Sequence, residues 1–255
     1  MECKALVNFA HLPALIVLMH CPESLEYGTI IHMIERLSAS TVFSVASAIT
    51  SAVRSGHLVP GQRLTESEFT RRLGVSRSSV REAFQRLAAD GLLALEPHRG
   101  VTVRQLSRHE VDNLFQIRAS LEALAVRLAM PTLTKAPAPL LALQAELDSA
   151  AAAGDLNRFS DANWRFHALF TETARNDLLA DMLQRLTNSV YWLQFRVFVG
   201  QAEVLGTNRQ HRRLVDAIVA GNGVAAEATI IEHVESSRLL MQSLSDDHFA
   251  PSPTR

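Results

Sequence analysis

Apolar residues recur at regular intervals after the first forty positions, and their spacing predicts a helix there. Val45, Ile49 and Val53 lie on one face of that helix, and Gly56 follows as a typical C-terminal residue. The same kind of pattern continues for about fifty more residues. We therefore place an N-terminal domain at residues 41–104.

The next helix has a clear start signal. Thr65 can cap it, and Glu68 three residues later completes a capping box. Leu64 and Phe69 flank the cap as a hydrophobic staple, which fixes the angle at which the chain enters the helix. We expect this helix to be short and to end at Gly74.

A third helix follows at once, with Ser76 as its cap and with Val80, Phe84 and Leu87 on its buried face. Two short β-prone runs come after it, on either side of a Pro/Gly tip at residues 97–100, and they predict a hairpin. The order helix, helix, tight turn, helix and hairpin is typical of a winged helix-turn-helix.

The remaining sequence predicts helices only. Ser107 and Glu110 form another capping box, and a long apolar face follows. Further helices are expected at about 137–153, 156–174, 177–198, 202–220 and 223–245. The predicted fold is therefore mainly α, with a winged helix-turn-helix before an antiparallel helical bundle at residues 105–245. Residues 246–255 are expected to be a flexible tail.

Residues 1–40 fit neither domain, and we expect them to be a poorly ordered extension. The apolar stretch from Leu12 to Met19 is a weak match to a secretory signal, because its core is short and contains Pro13. Met33 is an alternative start. No apolar run reaches the roughly 18 residues of a membrane-spanning helix. A cytoplasmic location without a membrane partner is expected.

The charge is distributed unevenly along the chain. The net charge of the 255 residues is -1, which alone argues against a nucleic-acid partner. Residues 41–104, however, carry nine Lys and Arg against five Asp and Glu, whereas residues 105–255 carry 14 against 17. Basic charge is thus concentrated in the winged domain.

The third helix exposes arginines where such a motif reads DNA. Arg77 and Arg81 are four residues apart, so their like charges repel mildly. A solvated basic face is the ordinary interpretation of such a pair. Here the pair lies in the first half of the helix that enters the major groove, so we predict contacts with DNA. Residues that can add phosphate or groove contacts are Ser76, Ser78, Ser79, His98, Arg99 and Gly100.

Four polar residues lie on apolar faces of three bundle helices. Asn163 and His167 are one turn apart and point the same way, and His211 and His233 align with apolar residues of two later helices. A lone buried histidine is commonly a core residue with satisfied hydrogen bonds. Three together also fit a shared divalent metal, because burying several imidazoles without partners is costly. The spacing leaves both interpretations open.

Arg118 is a further unexpected charge on an apolar face. It can pair internally with a carboxylate such as Glu122. Alternatively, its fork of donors can hold the carboxylate of a bound effector.

The N-terminal domain resembles that of GntR-type bacterial transcription regulators. The segments that carry the resemblance are Pro60–Leu64, Gly74–Ala83, Arg86–Leu87, Gly91–Leu92 and His98–Val101. The resemblance implies a homodimer on a short palindromic operator in double-stranded DNA, with Arg77 and Arg81 as base or phosphate contacts. Ser67 departs from relatives that have arginine there, so no contact is assigned to it.

Residues 107–243 resemble the ligand-binding domain of the FadR subfamily of these regulators. The resemblance is carried by Asn163–His167, Asn176, His211, Asp216–Ile218 and His233. It implies a divalent ion held by an aspartate and three histidines, with Asn163 standing where aspartate is common. Neutral histidines suit Zn²⁺ or Ni²⁺. A site without the carboxylate is more cationic, which favours an anionic effector such as a small organic acid.

These observations together predict a DNA-binding transcription regulator, a repressor rather than an activator, whose affinity for its operator responds to a small carboxylate. An architectural DNA-binding dimer without an effector is one alternative. A metalloenzyme is another, but no nucleophile motif such as Gly-x-Ser-x-Gly is present. We therefore predict that the chain is not an enzyme.

Overall fold

The computed structural model describes most of the chain after residue 40, namely residues 41–53, 56–96, 100–200 and 202–251. The predicted N-terminal extension at residues 1–40 and the wing-tip residues His98 and Arg99 lie outside the described residues.

The N-terminal domain packs three helices against a small antiparallel sheet. Its elements are α1 (residues 41–53), β1 (Arg63–Leu64), α2 (Glu66–Leu73), α3 (Arg77–Ala89), β2 (Leu93–Glu96) and β3 (Gly100–Val103). The described strands are ordered β1-β3-β2, with Leu64 opposite Val101. The hairpin of β2 and β3 confirms the predicted wing. The two-residue strand β1 is too short to leave a pattern in the sequence.

One of the two hydrogen bonds of the predicted capping box is present at the start of α2. The side chain of Thr65 accepts a hydrogen bond from the backbone N–H of Glu68 at 3.4 Å, and Gly74 ends the helix. The Glu68 carboxylate does not return to the cap, because it accepts a hydrogen bond from Arg72 at 3.1 Å. Helix α2 therefore begins with the Thr65 cap alone, and Glu68 forms an ion pair with Arg72, one turn further along the helix, instead of completing the capping box.

Aromatic residues join the helices of the winged domain. Phe84 of α3 is 2% exposed and meets Phe69 of α2 edge to face, with ring centroids 5.6 Å apart. Val80 and Leu87 are also buried, as the helical spacing predicts. Burial of these apolar faces holds α3 in place and leaves its other face in solvent.

Six helices form the C-terminal bundle in the described residues. They are α4 (Arg108–Lys135), α5 (Ala138–Ala153), α6 (Leu156–Ala174), α7 (Asp177–Gly200), α8 (Asn208–Val219) and α9 (Gly223–Gln242). The complete capping box of Ser107 and Glu110 starts α4. The segment predicted as one helix at 202–220 begins as a 3-10 helix, Ala202–Thr207. The mainly α fold class is confirmed.

Helix α7 touches the end of α3 directly. Asn188 donates to the backbone carbonyl of Asp90 at 3.2 Å, and the Ser189 hydroxyl donates to that of Gly91 at 3.3 Å. Gly91 has φ +78°, and a Cβ there would lie 2.5 Å from the Ser189 hydroxyl and 3.0 Å from the backbone oxygen of Arg185. Only glycine fits this joint between the winged domain and the bundle.

The expectation of a flexible tail at residues 246–255 is wrong for its first part. Phe249 is 7% exposed, and the guanidinium of Arg108 lies 4.1 Å from its ring centroid. The backbone N–H of Ala250 donates to the carbonyl of Leu106 at 2.9 Å. The segment after α9 therefore packs against the connection between the two domains.

Among the described helices, none combines the length and the apolar composition that a membrane span requires.

Candidate functional site

The outer face of α3 carries the residues predicted to contact DNA. Arg77, Ser78 and Arg81 are exposed, whereas Val80 and Phe84 on the opposite side are buried. The helix thus separates a basic surface from the core, as its spacing predicts. These arginines are available to a ligand in solution.

The serines at the start of α3 form a cap, and one of them is not available as a surface hydroxyl. Ser76 accepts from the backbone N–H of Ser79 at 3.1 Å, and its Oγ lies 2.8 Å from Ser78 Oγ and 2.9 Å from Ser79 Oγ. Ser79 is only 8% exposed. The hydroxyl of Ser79 thus lies at the cap, whereas Ser76 and Ser78 are exposed, and the phosphate contact of Ser79 stays a prediction.

Arg81 has a partner that the sequence pattern did not disclose. Its Nε donates to Glu66 Oε1 at 2.7 Å, and its Nη2 donates to Oε2 at 2.9 Å. Glu66 is the first residue of α2, fifteen positions earlier, so no local spacing rule connects the two residues. The side chain of Arg77 makes no hydrogen bond within the described residues. An ion pair therefore fixes the side chain of Arg81, whereas no hydrogen bond of this kind fixes the side chain of Arg77.

Of the residues predicted at the wing tip, Gly100 falls within the described part of the chain. It is exposed at the start of β3 and has φ +81°, a backbone conformation that favours glycine. The predictions for His98 and Arg99 concern residues outside that part.

The three predicted histidines come together inside the bundle, and we call them the histidine cluster (His167, His211 and His233). Nε2 of His233 lies 3.2 Å from Nε2 of His167 and 3.2 Å from Nε2 of His211. His211 is fully buried and His233 is 4% exposed. One ligand atom from each residue lies within 4.8 Å of the others, close enough for one metal ion.

Hydrogen bonds at the far side of two rings fix where their lone pairs point. Nδ1 of His167 lies 2.7 Å from Glu122 Oε2, and Nδ1 of His233 lies 3.2 Å from the amide oxygen of Gln210. Because a carboxylate and an amide oxygen only accept, both Nδ1 atoms donate. With Nδ1 donating, the Nε2 atom of a neutral ring offers its lone pair toward the centre of the cluster, where it can bind a metal ion.

Burial lowers the pKa values of two members of the cluster, His211 and His233. It lowers the pKa of His233 to about 3, and the neighbouring His167 and Arg118 act in the same direction, whereas Glu122 opposes them. Burial also holds the pKa of His211 well below its usual value, as do the two neighbouring histidines. The Nδ1 atom of His211 has no hydrogen-bond partner among the described residues. Neutral imidazoles are the form that binds metal.

Arg118 and Glu122 form the internal pair that the sequence left open. Arg118 Nε donates to Glu122 Oε1 at 3.1 Å and Nη2 donates to the same oxygen at 2.6 Å; both residues are buried. Burial raises the pKa of Glu122, but Arg118 and the hydrogen-bonded His167 outweigh this effect and hold the pKa well below the usual value. Nη1 of Arg118 has no partner within the described chain. One donor group therefore stays available to a ligand.

A cavity of about 410 Å³ adjoins the histidine cluster. Arg118, Asn163, His167 and His233 line it, so the structure brings these predicted residues to one cavity. Several uncharged polar side chains of its wall make no hydrogen bond within the described residues: Asn157, Ser160, Asn163, Thr187 and Gln194. Such a wall can bind a small polar molecule.

We expect metal-free protein to lose stability as the pH falls from 7 to 5. Unfolded histidines take up protons near pH 6.5, whereas burial holds the pKa of His233 at about 3 in the folded protein. The unfolded state then binds more protons, which costs up to about 1.4 kcal/mol per pH unit for each such histidine. Glu122 adds nothing in this range, because its carboxyl is ionised above pH 5 in both states.

Urea unfolding in chelator at pH 7, 6 and 5 measures this slope. The variant His233→Gln, which removes one buried histidine, should lose less stability over the same range. An identical slope in the variant would contradict a neutral buried His233.

Comparison with known proteins connects both domains to one family. Residues 42–103 match the family of bacterial regulatory proteins called gntR, and residues 113–236 match the FCD domain. A probable D-xylose utilization operon transcriptional repressor of Paenarthrobacter nicotinovorans is 32% identical over 201 residues, which is 78% of this chain and 88% of the relative. The transcriptional repressor RspR of Escherichia coli (strain K12) is 32% identical over 196 residues, 74% of this chain and 85% of the relative.

Solved structures show the same fold. A putative GntR regulator from Rhodococcus sp. RHA1 has a TM-score of 0.66 at 25% identity and covers 81% of this chain and 99% of its own. E. coli McbR/YncC has a TM-score of 0.68 at 24% identity, over 79% of this chain and 97% of its own. These relatives are regulators and not enzymes, which argues against the metalloenzyme alternative. The chain therefore belongs to the GntR family of bacterial transcription regulators and carries an FCD domain.

Proposed function

We propose that this regulator is a repressor of the FadR subfamily that binds a palindromic operator as a homodimer and responds to a small carboxylate. The observation that carries the effector part is the convergence of three imidazoles beside a cavity, with the Nε2 atoms of His167 and His233 3.2 Å apart. Such a set of donors can hold a divalent ion, which would attract an anionic ligand. Two similar proteins are described as repressors, which supports repression over activation for this chain.

DNA binding is assigned to the exposed face of α3. Arg77 and Arg81 supply base or phosphate contacts, and Ser76 and Ser78 at the helix N-terminus supply phosphate contacts. Ser79 contributes through the cap, and the wing with His98, Arg99 and Gly100 reaches an adjacent groove. The helix presents these groups on one side because its other side is fixed in the core.

The metal proposed for the bundle is Zn²⁺ or Ni²⁺, held by His167, His211 and His233 with Asn163 as a further ligand. The donor set fits, since three imidazoles converge and two of them are oriented by Glu122 and Gln210. A bound ion supplies positive charge and an open coordination position for an anionic oxygen. Asn163 lines the cavity one turn before His167 and adds no negative charge.

The effector proposed for the cavity is a small organic acid rich in hydroxyl groups. The unpartnered Nη1 of Arg118 offers a charged donor to its carboxylate. The uncharged polar wall offers donors and acceptors to hydroxyl groups, and about 410 Å³ suits a molecule of metabolite size. A long aliphatic chain would leave these polar groups unpaired, which is costly.

Helix α7 connects this cavity to α3. Gln184 lines the cavity and donates to Asn188 at 2.9 Å, and Asn188 donates to the carbonyl of Asp90 at 3.2 Å. A ligand that displaces Gln184 therefore acts on the C-terminal end of α3 through two hydrogen bonds. Effector binding then changes the relative placement of the two DNA-binding domains of the dimer.

A thermal-shift screen of hydroxy acids and dicarboxylic acids, with Zn²⁺ or with chelator, tests this proposal. At about 100 times its Kd, an effector stabilises the folded protein by about 2.7 kcal/mol, or about 5–10 °C for a chain of this size. We expect the shift with Zn²⁺ and not with chelator.

The conservative variant Arg118→Lys should lose the shift, because lysine keeps the charge and loses the fork of donors. Arg127→Lys is the matched control, since Arg127 lies on the same helix and pairs with Glu227 at the surface. No shift with any acid, in protein that still selects an operator, would contradict the effector and support the architectural alternative.

A further inference from the structure

The ion pair between Glu66 and Arg81 joins two helices at the proposed DNA surface. Glu66 Oε1 accepts from Arg81 Nε at 2.7 Å and Oε2 accepts from Nη2 at 2.9 Å, a side-on contact with two parallel hydrogen bonds. The Thr65 cap fixes the backbone on which Glu66 stands. The carboxylate therefore holds a long side chain that is 63% exposed.

This contact leaves the edge of the guanidinium between Nη1 and Nη2 free to bind another acceptor. Arginine has five N–H groups, of which Glu66 takes the one on Nε and one on Nη2. Three donors stay on Nη1 and Nη2, and two of them lie parallel along the far edge of the planar group. Two parallel donors on that edge match the O6 and N7 acceptors of guanine in the major groove.

We propose that Glu66 is a positioning residue that determines sequence specificity, because it holds Arg81 in the orientation that reads a guanine. The inference rests on the proposed role of α3 in DNA binding. The carboxylate has two opposite effects on affinity. Its negative charge weakens attraction to any phosphate backbone, whereas the fixed guanidinium loses less side-chain freedom at the correct base.

A surface ion pair without such a role would behave differently. Exposed pairs contribute little to stability, and removing one carboxylate near DNA should then raise affinity for all sequences equally. Glu68 provides the comparison within the same helix. It pairs with Arg72 and not with Arg81, and its side chain is also partly exposed.

The experiment begins by selecting preferred sites from a randomised duplex library with the wild-type protein and with Arg81→Ala. The base preference that Arg81→Ala loses marks the position read by Arg81. Affinities for the selected site and for an unrelated duplex are then measured for the wild type, Glu66→Gln and Glu68→Gln. Thermal unfolding confirms that each variant is folded.

We expect Glu66→Gln to lower the ratio of specific to non-specific affinity by at least about 10-fold and to relax the guanine preference at that one position. Glu68→Gln should raise both affinities by similar factors. The double variant Glu66→Gln/Arg81→Ala should discriminate no worse than Arg81→Ala alone, because both changes remove one reading group.

Two results would overturn the inference while leaving the proposed function intact. One is a Glu66→Gln variant that selects the wild-type site with an unchanged ratio. The other is a double variant whose losses are additive. If the wild-type protein itself selects no sequence, the proposed function fails and the inference fails with it.

Discussion

Replacing His233 by alanine is expected to lower the affinity of the protein for Zn²⁺ by at least about 100-fold. Loss of a group that only orients a ligand typically costs 10- to 100-fold, and loss of a ligand should cost at least as much. His233 is the central member of the cluster, because its Nε2 lies 3.2 Å from those of both His167 and His211. Competition with a chromophoric chelator measures the affinity, and elemental analysis measures the bound metal.

His109→Ala is the matched control for this substitution. His109 lies on the exposed surface of α4 and contacts Asn113, far in sequence from the cluster ligands. Its removal should leave both affinity and metal content unchanged. Equal metal content in His233→Ala and wild type, after the same dialysis, would show that the cluster is a set of core histidines and not a metal site.

Replacing Phe84 by alanine is expected to lower the free energy of unfolding of the winged domain by about 3–5 kcal/mol. Phe84 is 2% exposed and meets Phe69 edge to face, so the change removes an aromatic contact and leaves a cavity between α2 and α3. Urea unfolding followed by circular dichroism, at constant metal concentration, measures the loss.

Phe43→Ala is the control for the loss of the same side chain at the surface. Phe43 is 61% exposed, and the Arg86 guanidinium lies 5.9 Å from its ring centroid. We expect a change of less than about 1 kcal/mol, since few contacts are lost. Similar losses in the two variants would contradict the described packing of α3.

The sequence predicts most of the fold because its signals are local. The helical spacing of Val80, Phe84 and Leu87 places one face of α3 in the core, and caps at Ser76 and Ser107 mark the helix starts. The histidine cluster can also be anticipated, since its members lie on the apolar faces of their helices. Each of these inferences uses residues within one or two helical turns.

The features that the sequence did not disclose depend on contacts between distant residues. Glu66 meets Arg81 across fifteen positions, and Glu122 meets His167 across forty-five. Local spacing connects Glu122 with Arg118 but not with His167, and nothing in the local pattern marks Glu66 as a site residue. The segment around Phe249 is a further example. Its two nearby prolines are typical of a loose chain end, but Phe249 is buried against residues that are distant in the sequence.

The contact between Gly91 and α7 has a mechanical consequence. A Cβ at Gly91 would lie 2.5 Å from the Ser189 hydroxyl and 3.0 Å from the backbone oxygen of Arg185, so the two helices have little room to move independently there. We therefore expect a shift of α7 to move the end of α3 with it. Because the arginines lie toward the opposite end of α3, we expect a small rotation at Gly91 to become a larger translation at the proposed DNA-binding surface.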